Sequence, residues 1–173
     1  MKRVSLLISA VLLIIIFICI FFSPIFKVFS FTETRTNNPQ IFYIDVTEAK
    51  GFQIRFTHSI HLTDVLESYE IKDSNELKLV SMEYEDVAIG MPAYAEEDQT
   101  LTYENGKYTI SYKNKTIDNF TLYVGNVDYD LFFNYDNKEY NLKENLGRGS
   151  SYLFEVKTVS LYDKLKGVLI EDE

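Results

Sequence analysis

The chain is short of the residues on which several common chemistries depend. It has one cysteine, Cys19, so no intrachain disulfide can form. Ile18 precedes that cysteine, where a lipoprotein signal needs a small residue. The only histidines are His58 and His61, three apart and without a second cluster, which leaves a zinc site short of ligands. No G-x-S-x-G elbow is present, and no glycine-rich loop sits between a strand and a helix as phosphate binding requires. The triad Asn126, Asp128 and Asp130 lacks the loop glycine and terminal Glu of a calcium loop, and Phe132-Phe133 follow instead. Repeats and low-complexity tracts are absent. There is no basic excess either: 17 Lys and Arg stand against 26 Asp and Glu. Residues 33–173 alone carry 14 bases and 26 acids, a net −12, which would repel a phosphate backbone and argues against nucleic acid as a partner.

What is present divides the 173 residues into an apolar start and an aromatic-rich body. Val4 to Phe22 is a run of 19 residues without a charge, about 28 Å long as a helix at about 1.5 Å per residue. Lys2 and Arg3 precede it, which favours an uncleaved transmembrane signal-anchor with the N-terminus cytoplasmic and the body outside. A cleaved signal peptide is the competing reading, with Val28-Phe29-Ser30 a poor cleavage site. The expected organisation is a cytoplasmic tail at 1–3, a transmembrane segment at 4–26, a linker at 27–40 and an extracytoplasmic β-domain at 41–173.

The chain's 13 Tyr and 13 Phe supply ample surface for a core and exclude intrinsic disorder. Its apolar residues alternate in short runs. Phe52, Ile54 and Phe56 alternate with Gln53, Arg55 and Thr57, and Tyr108, Ile110 and Tyr112 behave likewise. Asn105-Gly106 between two runs is a strong hairpin signal, and Asp136-Asn137 is a second turn. Eight to ten such strands predict an all-β fold, a single antiparallel sandwich or barrel-like domain. A helix is expected only within 161–170.

The most informative stretch is FQIRFTHSIHLTDVLESYEI, residues 52–71. Alternation carries His58 onto the face of Phe52, Ile54 and Phe56. Glu67 shares parity with Val65, Tyr69 and Ile71. A carboxylate on an inward row costs several kcal/mol unless paired, so a His58–Glu67 contact across the hairpin is expected. It has three readings: a buried pair that fixes register, a ligand or partner pocket around His58, Ser59 and Glu67, or catalysis. Alternation points Ser59 away from His58, which disfavours the third. Tyr123, Tyr129, Phe132, Phe133 and Tyr135 form an aromatic group able to line a pocket or fill a core.

Phe56-Thr57-His58-Ser59-Ile60, then Val65, Glu67 and Tyr69, then Ala88-Ile89-Gly90-Met91-Pro92 resemble the bacterial DUF1850 family. That family shows an aromatic and a His-Ser-Val/Ile element, a following acid and aromatic, and a Gly-Ala-Gly-hydrophobic-Pro turn. Here Ala88 stands in place of the first glycine, while Gly90 and Pro92 match. The resemblance implies a small exported or membrane-anchored protein of the kind often encoded beside TAXI-type TRAP transporters. It thus implies an accessory role on a permease or solute-binding protein but supplies no established binding residues; His58, Ser59, Glu67, Tyr69, Gly90 and Pro92 are the candidate partner- or ligand-binding residues on the reading of the residues themselves. An envelope module that itself captures a small ligand or wall component is the alternative. No enzymatic activity, cofactor or metal is expected.

Overall fold

The computed structural model describes residues 2–87 and 90–172. It is mostly β, with two sheets and three helices among the described residues. Helix α1 (Lys2–Phe22) ends at Ser23-Pro24, where proline removes the next amide donor. The described side chains of α1 begin at Leu7. Among the described residues, no helix is long and apolar enough to cross a membrane.

The chain then enters a sheet at once. Strand β1 (Phe26–Glu33) is followed by β2 (Ile41–Asp45), β3 (Gly51–Thr57), β4 (Asp64–Ile71) and β5 (Leu77–Tyr84). Next come β6 (Gln99–Glu104), β7 (Lys107–Tyr112), β8 (Thr116–Ile117), β9 (Asn119–Tyr123), β10 (Leu131–Tyr135) and β11 (Lys138–Asn141). A one-turn helix α2 (Leu142–Asn145), β12 (Ser151–Val159), α3 (Leu161–Lys166) and β13 (Val168–Leu169) complete the described elements. The first sheet runs β13-β2-β1-β12-β9, and the second runs β11-β10-β3-β4-β5-β7-β6 with β8 beside β5. The pairing of β13 with β2 is parallel, so the first sheet is mixed and not purely antiparallel as expected.

One aromatic core joins the sheets. Phe29, Phe31 and Phe154 come from the first; Phe52, Tyr69 and Phe133 come from the second. Phe29 meets Phe133 at 4.9 Å between ring centroids and Phe52 at 5.2 Å, both edge to face. Phe52 stacks on Tyr69 at 4.9 Å. These offset and edge contacts are the favoured geometries of aromatic quadrupoles, and each such pair adds about 1 kcal/mol beyond area burial.

The linker expected at 27–40 requires correction. Residues 26–33 are β1, between β2 and β12 near the middle of the first sheet. Val28, Phe29, Ser30 and Phe31 are all buried, a continuous run typical of a strand covered on both faces. Phe29 and Phe31 point into the core. Val28 and Ser30 face outward, toward Asp163 and Lys164 of α3. Only 34–40 remains a connecting loop.

The turn chemistry follows from residue type. Asn105 (φ 52°) and Gly106 (φ 82°) join β6 to β7, and Asp136 (φ 52°) and Asn137 (φ 60°) join β10 to β11. Positive φ at both central residues is the type I′ requirement, which Asn, Asp and Gly tolerate. The helix expected within 161–170 stops at Lys166. Ser160 and Asp163 close a reciprocal capping box at its start, and β13 follows Gly167.

Candidate functional site

The hairpin of β3 and β4 carries most of the candidate residues. Their register pairs Phe56 with Val65 and Ile54 with Glu67, and the His58 amide donates to the Thr63 carbonyl at 2.8 Å. His58 therefore stands opposite Thr63, four residues from Glu67 along β4. At about 3.3 Å per residue that offset is about 13 Å, beyond side-chain reach. The expected His58–Glu67 contact is thus not made. Glu67 instead accepts a hydrogen bond from the Tyr69 hydroxyl at 2.7 Å, two residues along its own strand.

The parity argument for Glu67 itself holds, since it shares a face with buried Val65 and Tyr69. A bulge lies beside it. Ser68 pairs with Ser81 and Tyr69 with Leu79, which leaves Val80 unpaired in β5. The extra residue switches the inward parity of β5 from Leu77 and Leu79 to half-buried Met82 and buried Tyr84. Tyr69 is 7% exposed and stacks between Phe52 and Phe120, so it supports Glu67 from inside and offers no docking surface. Burial, followed by the charge and hydrogen bond of Glu67, raises the Tyr69 phenol far above its ordinary value. Burial, then the Glu67 charge, raises Tyr112 as well.

His58 ends β3 and organises the turn that follows. Its Nδ1 accepts from the amides of Ile60 and His61, both at 3.4 Å, and its ring stacks on His61 at 4.9 Å. The turn is tight enough to hold Leu62 at φ 56°, uncommon for a branched residue. His61 Nδ1 lies 3.4 Å from Asp86, while its Nε2 is buried with no hydrogen-bond partner among the described residues. Because β3 stops at Thr57, strand alternation does not reach Ser59. His58 and Ser59 both line one cavity, against the expectation of opposite faces. No hydrogen bond joins them among the described residues.

The segment after β5 folds back over this turn. Gly90 sits at φ 91°, and a β-carbon there would stand 3.7 Å from His58 Nε2. The Pro92 carbonyl accepts from the buried Tyr84 hydroxyl at 2.6 Å. Gly90 and Pro92 are thereby tied to the His58 turn and to β5. Ala88 and Ile89, the departing part of the turn motif, lie outside the described residues.

His58, Ser59 and Glu67 open onto a cavity of about 450 Å³. Ile54, Phe56 and Leu131 wall it from the second sheet. Phe120, Leu122 and Tyr123 wall it from β9, and Gly125, Val127 and Tyr129 from the loop that follows. Of the expected aromatic group, Tyr123 and Tyr129 reach the cavity, Phe133 and Tyr135 are buried in the core, and Phe132 lies under the Arg55 guanidinium. Two charged residues there are engaged elsewhere. Asp130 receives Arg55 at 3.1 Å, and the Lys143 ammonium donates to the Val127 carbonyl. Burial, with Arg148 nearby, holds the Lys143 pKa below its ordinary value. Sequence reasoning missed Phe120, Leu122, Val127 and Lys143, which are local to no motif and come together only through sheet packing. No group of three or more His, Cys, Asp or Glu side chains placed for a metal ion occurs among the described residues.

The molecule is of a definable class: a two-sheet β-domain with an aromatic core and a mostly apolar cavity at the end of its β3–β4 hairpin. The chain belongs to the DUF1850 family, whose model, described as a domain of unknown function, matches residues 52–142. That span runs from β3 to the first residue of α2 and includes His58, Ser59, Glu67, Tyr69, Gly90 and Pro92. No curated protein and no solved structure matches the chain.

Proposed function

We propose that this protein is a non-enzymatic, membrane-anchored binding domain of the cell envelope, which captures a small ligand in the cavity beside His58 and Glu67. The cavity carries the reading. Its volume, apolar and aromatic walls and small number of polar groups are those of a small-molecule site. The proposed location is the extracytoplasmic face, with α1 as the anchor and the N-terminus in the cytoplasm. Support comes from the uncovered apolar surface of α1, where Leu13 and Phe17 are among the exposed side chains. Leu165 of α3 is exposed, and Tyr162 packs against Phe21 and Phe22 at the end of α1. Apolar surface of this extent needs a partner, and lipid is the one proposed. Leu122→Trp, which fills the cavity, should abolish stabilisation of the full-length protein by any small molecule found to raise its melting temperature. Unchanged stabilisation in that variant would refute the cavity as the binding site.

A second reading is an accessory role at a TRAP transporter of the TAXI type, by docking on its permease or solute-binding subunit. Family membership suggests the partner, and one surface feature favours a contact: Ile60 and Leu62 project into solvent from the His58 turn at the cavity mouth. Under this reading, mild crosslinking in native membranes followed by mass spectrometry recovers transporter subunits, and Leu62→Asp loses them. Recovery that survives Leu62→Asp would remove the turn as the docking site.

A further inference from the structure

Glu67 is the one charged group on the cavity wall left without a charged or backbone partner among the described residues. Asp130 is held by Arg55 and Lys143 by a carbonyl, whereas none of the described ion pairs includes Glu67. Its single hydrogen bond comes from a neutral phenol. Across the ladders it faces Ile54 on one side and Met82 on the other, neither able to donate from its side chain. A carboxylate so placed keeps unused acceptor capacity toward the cavity. Among the described residues, one hydroxyl is the whole of its hydrogen bonding.

We infer that the cavity takes a hydrophobic small molecule bearing a cationic amine, with the ammonium on Glu67 and the apolar body against Phe56, Phe120 and Leu122. This rests on the reading of the cavity as a ligand site and adds the chemical class. A protonated amine supplies the N–H donors and positive charge that Glu67 lacks, and a charge-assisted bond of this kind is among the strong ones. Tyr123 and Tyr129 line the same cavity, and an aromatic ring can attract a cation. The body's net −12 raises the local concentration of cations at the mouth and repels carboxylates. The Tyr69 hydroxyl fixes the carboxylate from below without neutralising it, so its orientation is set before the ligand arrives.

The test uses the full-length protein in detergent micelles, with empty micelles as the partitioning control. Phenethylammonium, 3-phenylpropionate and phenethyl alcohol share one apolar body and differ in charge. Each is titrated against the tyrosine fluorescence and ring NMR signals. The expected result is saturable binding of the amine, at least about tenfold tighter than the carboxylate or the alcohol. Glu67→Gln, which keeps shape and folding, should erase that preference. Leu122→Trp should abolish binding of all three probes. Binding with no preference for the amine, or a preference that survives Glu67→Gln, overturns the inference but leaves the cavity as a ligand site. Failure of every probe to bind overturns both the amine inference and the reading on which it rests.

Discussion

Two stations on the inner face of the β3–β4 pair lie only two residues apart along each strand, yet they are built differently. At the first, Phe52 and Tyr69 stack on one another, and Phe29, Phe133 and Phe154 press onto Phe52. At the second, Ile54 and Glu67 are paired in the same register, but Glu67 borders a cavity. The residue types account for the change. Rings from both sheets interdigitate at the first station, whereas the second is met from β9 by Phe120 and Leu122, which leave it partly unfilled. One face of one sheet is therefore core at one end and cavity wall at the other. Tyr69 belongs to both: its ring is core and its hydroxyl serves Glu67.

The comparison is broken most severely from the core side. Phe133 is fully buried and touches rings of both sheets, so Phe133→Ala removes a large apolar group where neighbours cannot collapse. The expected loss is about 3–5 kcal/mol, read as a lower midpoint in denaturant unfolding. Phe120→Ala, at the cavity wall, should cost distinctly less, because one side of that ring already faces open space. Equal losses at the two positions would mean that the two ends of the sheet face are packed alike.

Gly90→Ala probes the strap over His58. At φ 91° an L-residue is strained whatever space surrounds it, and the added methyl would sit 3.7 Å from His58 Nε2, an ordinary contact. The cost is thus one of backbone conformation and not of collision, about 1–2 kcal/mol. A variant as stable as the parent would show that the strap relaxes freely away from the turn.

How much of this was legible beforehand depended on whether the cause was local. The Asn105-Gly106 and Asp136-Asn137 turns are local, and their backbone angles follow from residue type. The inward parity of Glu67 is also local, since it follows from alternation with Val65 and Tyr69. The His58–Glu67 contact failed because parity says which face a side chain takes, not how far along the strand its partner lies. The start of the expected linker falls on β1 because residues 30–40 are a polar stretch with Asn37-Asn38-Pro39 as a turn signal. Its burial arises from α3 on one face and the second sheet on the other, both distant in sequence. The bulge at Val80 and the wall from Phe120 to Val127 are equally non-local, and no spacing in 52–92 encodes them.

Removing the hydroxyl that joins the two stations sharpens the comparison further. Tyr69→Phe keeps the stacked ring and deletes the donor to Glu67, so the core should survive with a loss of about 1–2 kcal/mol. The loss should shrink when Glu67→Gln is already present, because the hydroxyl then serves an amide and not a carboxylate. Additive losses in the double variant would show that the two groups do not interact.

The smallest expected effect lies in pH dependence, and its sign can be worked out. The Tyr69 phenol is raised in the folded protein, first by burial and then by Glu67, and Tyr84, Tyr112 and Tyr140 are raised chiefly by burial. Above the ordinary tyrosine value of about 10, the unfolded chain releases these protons while the folded protein keeps them. The unfolded state then binds fewer protons, so stability is fully present below that value and falls as pH rises beyond it. Tyr69→Phe should flatten this alkaline decline measurably, since Tyr69 is the most strongly shifted of the four. Asp163 acts at the other end. Its hydrogen bonds to the Ser160 hydroxyl and amide hold its pKa low, so its contribution is complete above about pH 4 and lost as pH falls through the lower folded value. Melting temperatures across the acid range should therefore fall less steeply in Asp163→Asn, while the alkaline limb stays with the parent. An acid limb unchanged by that substitution would mean that the α3 cap, remote from both stations, carries no pH-dependent stability.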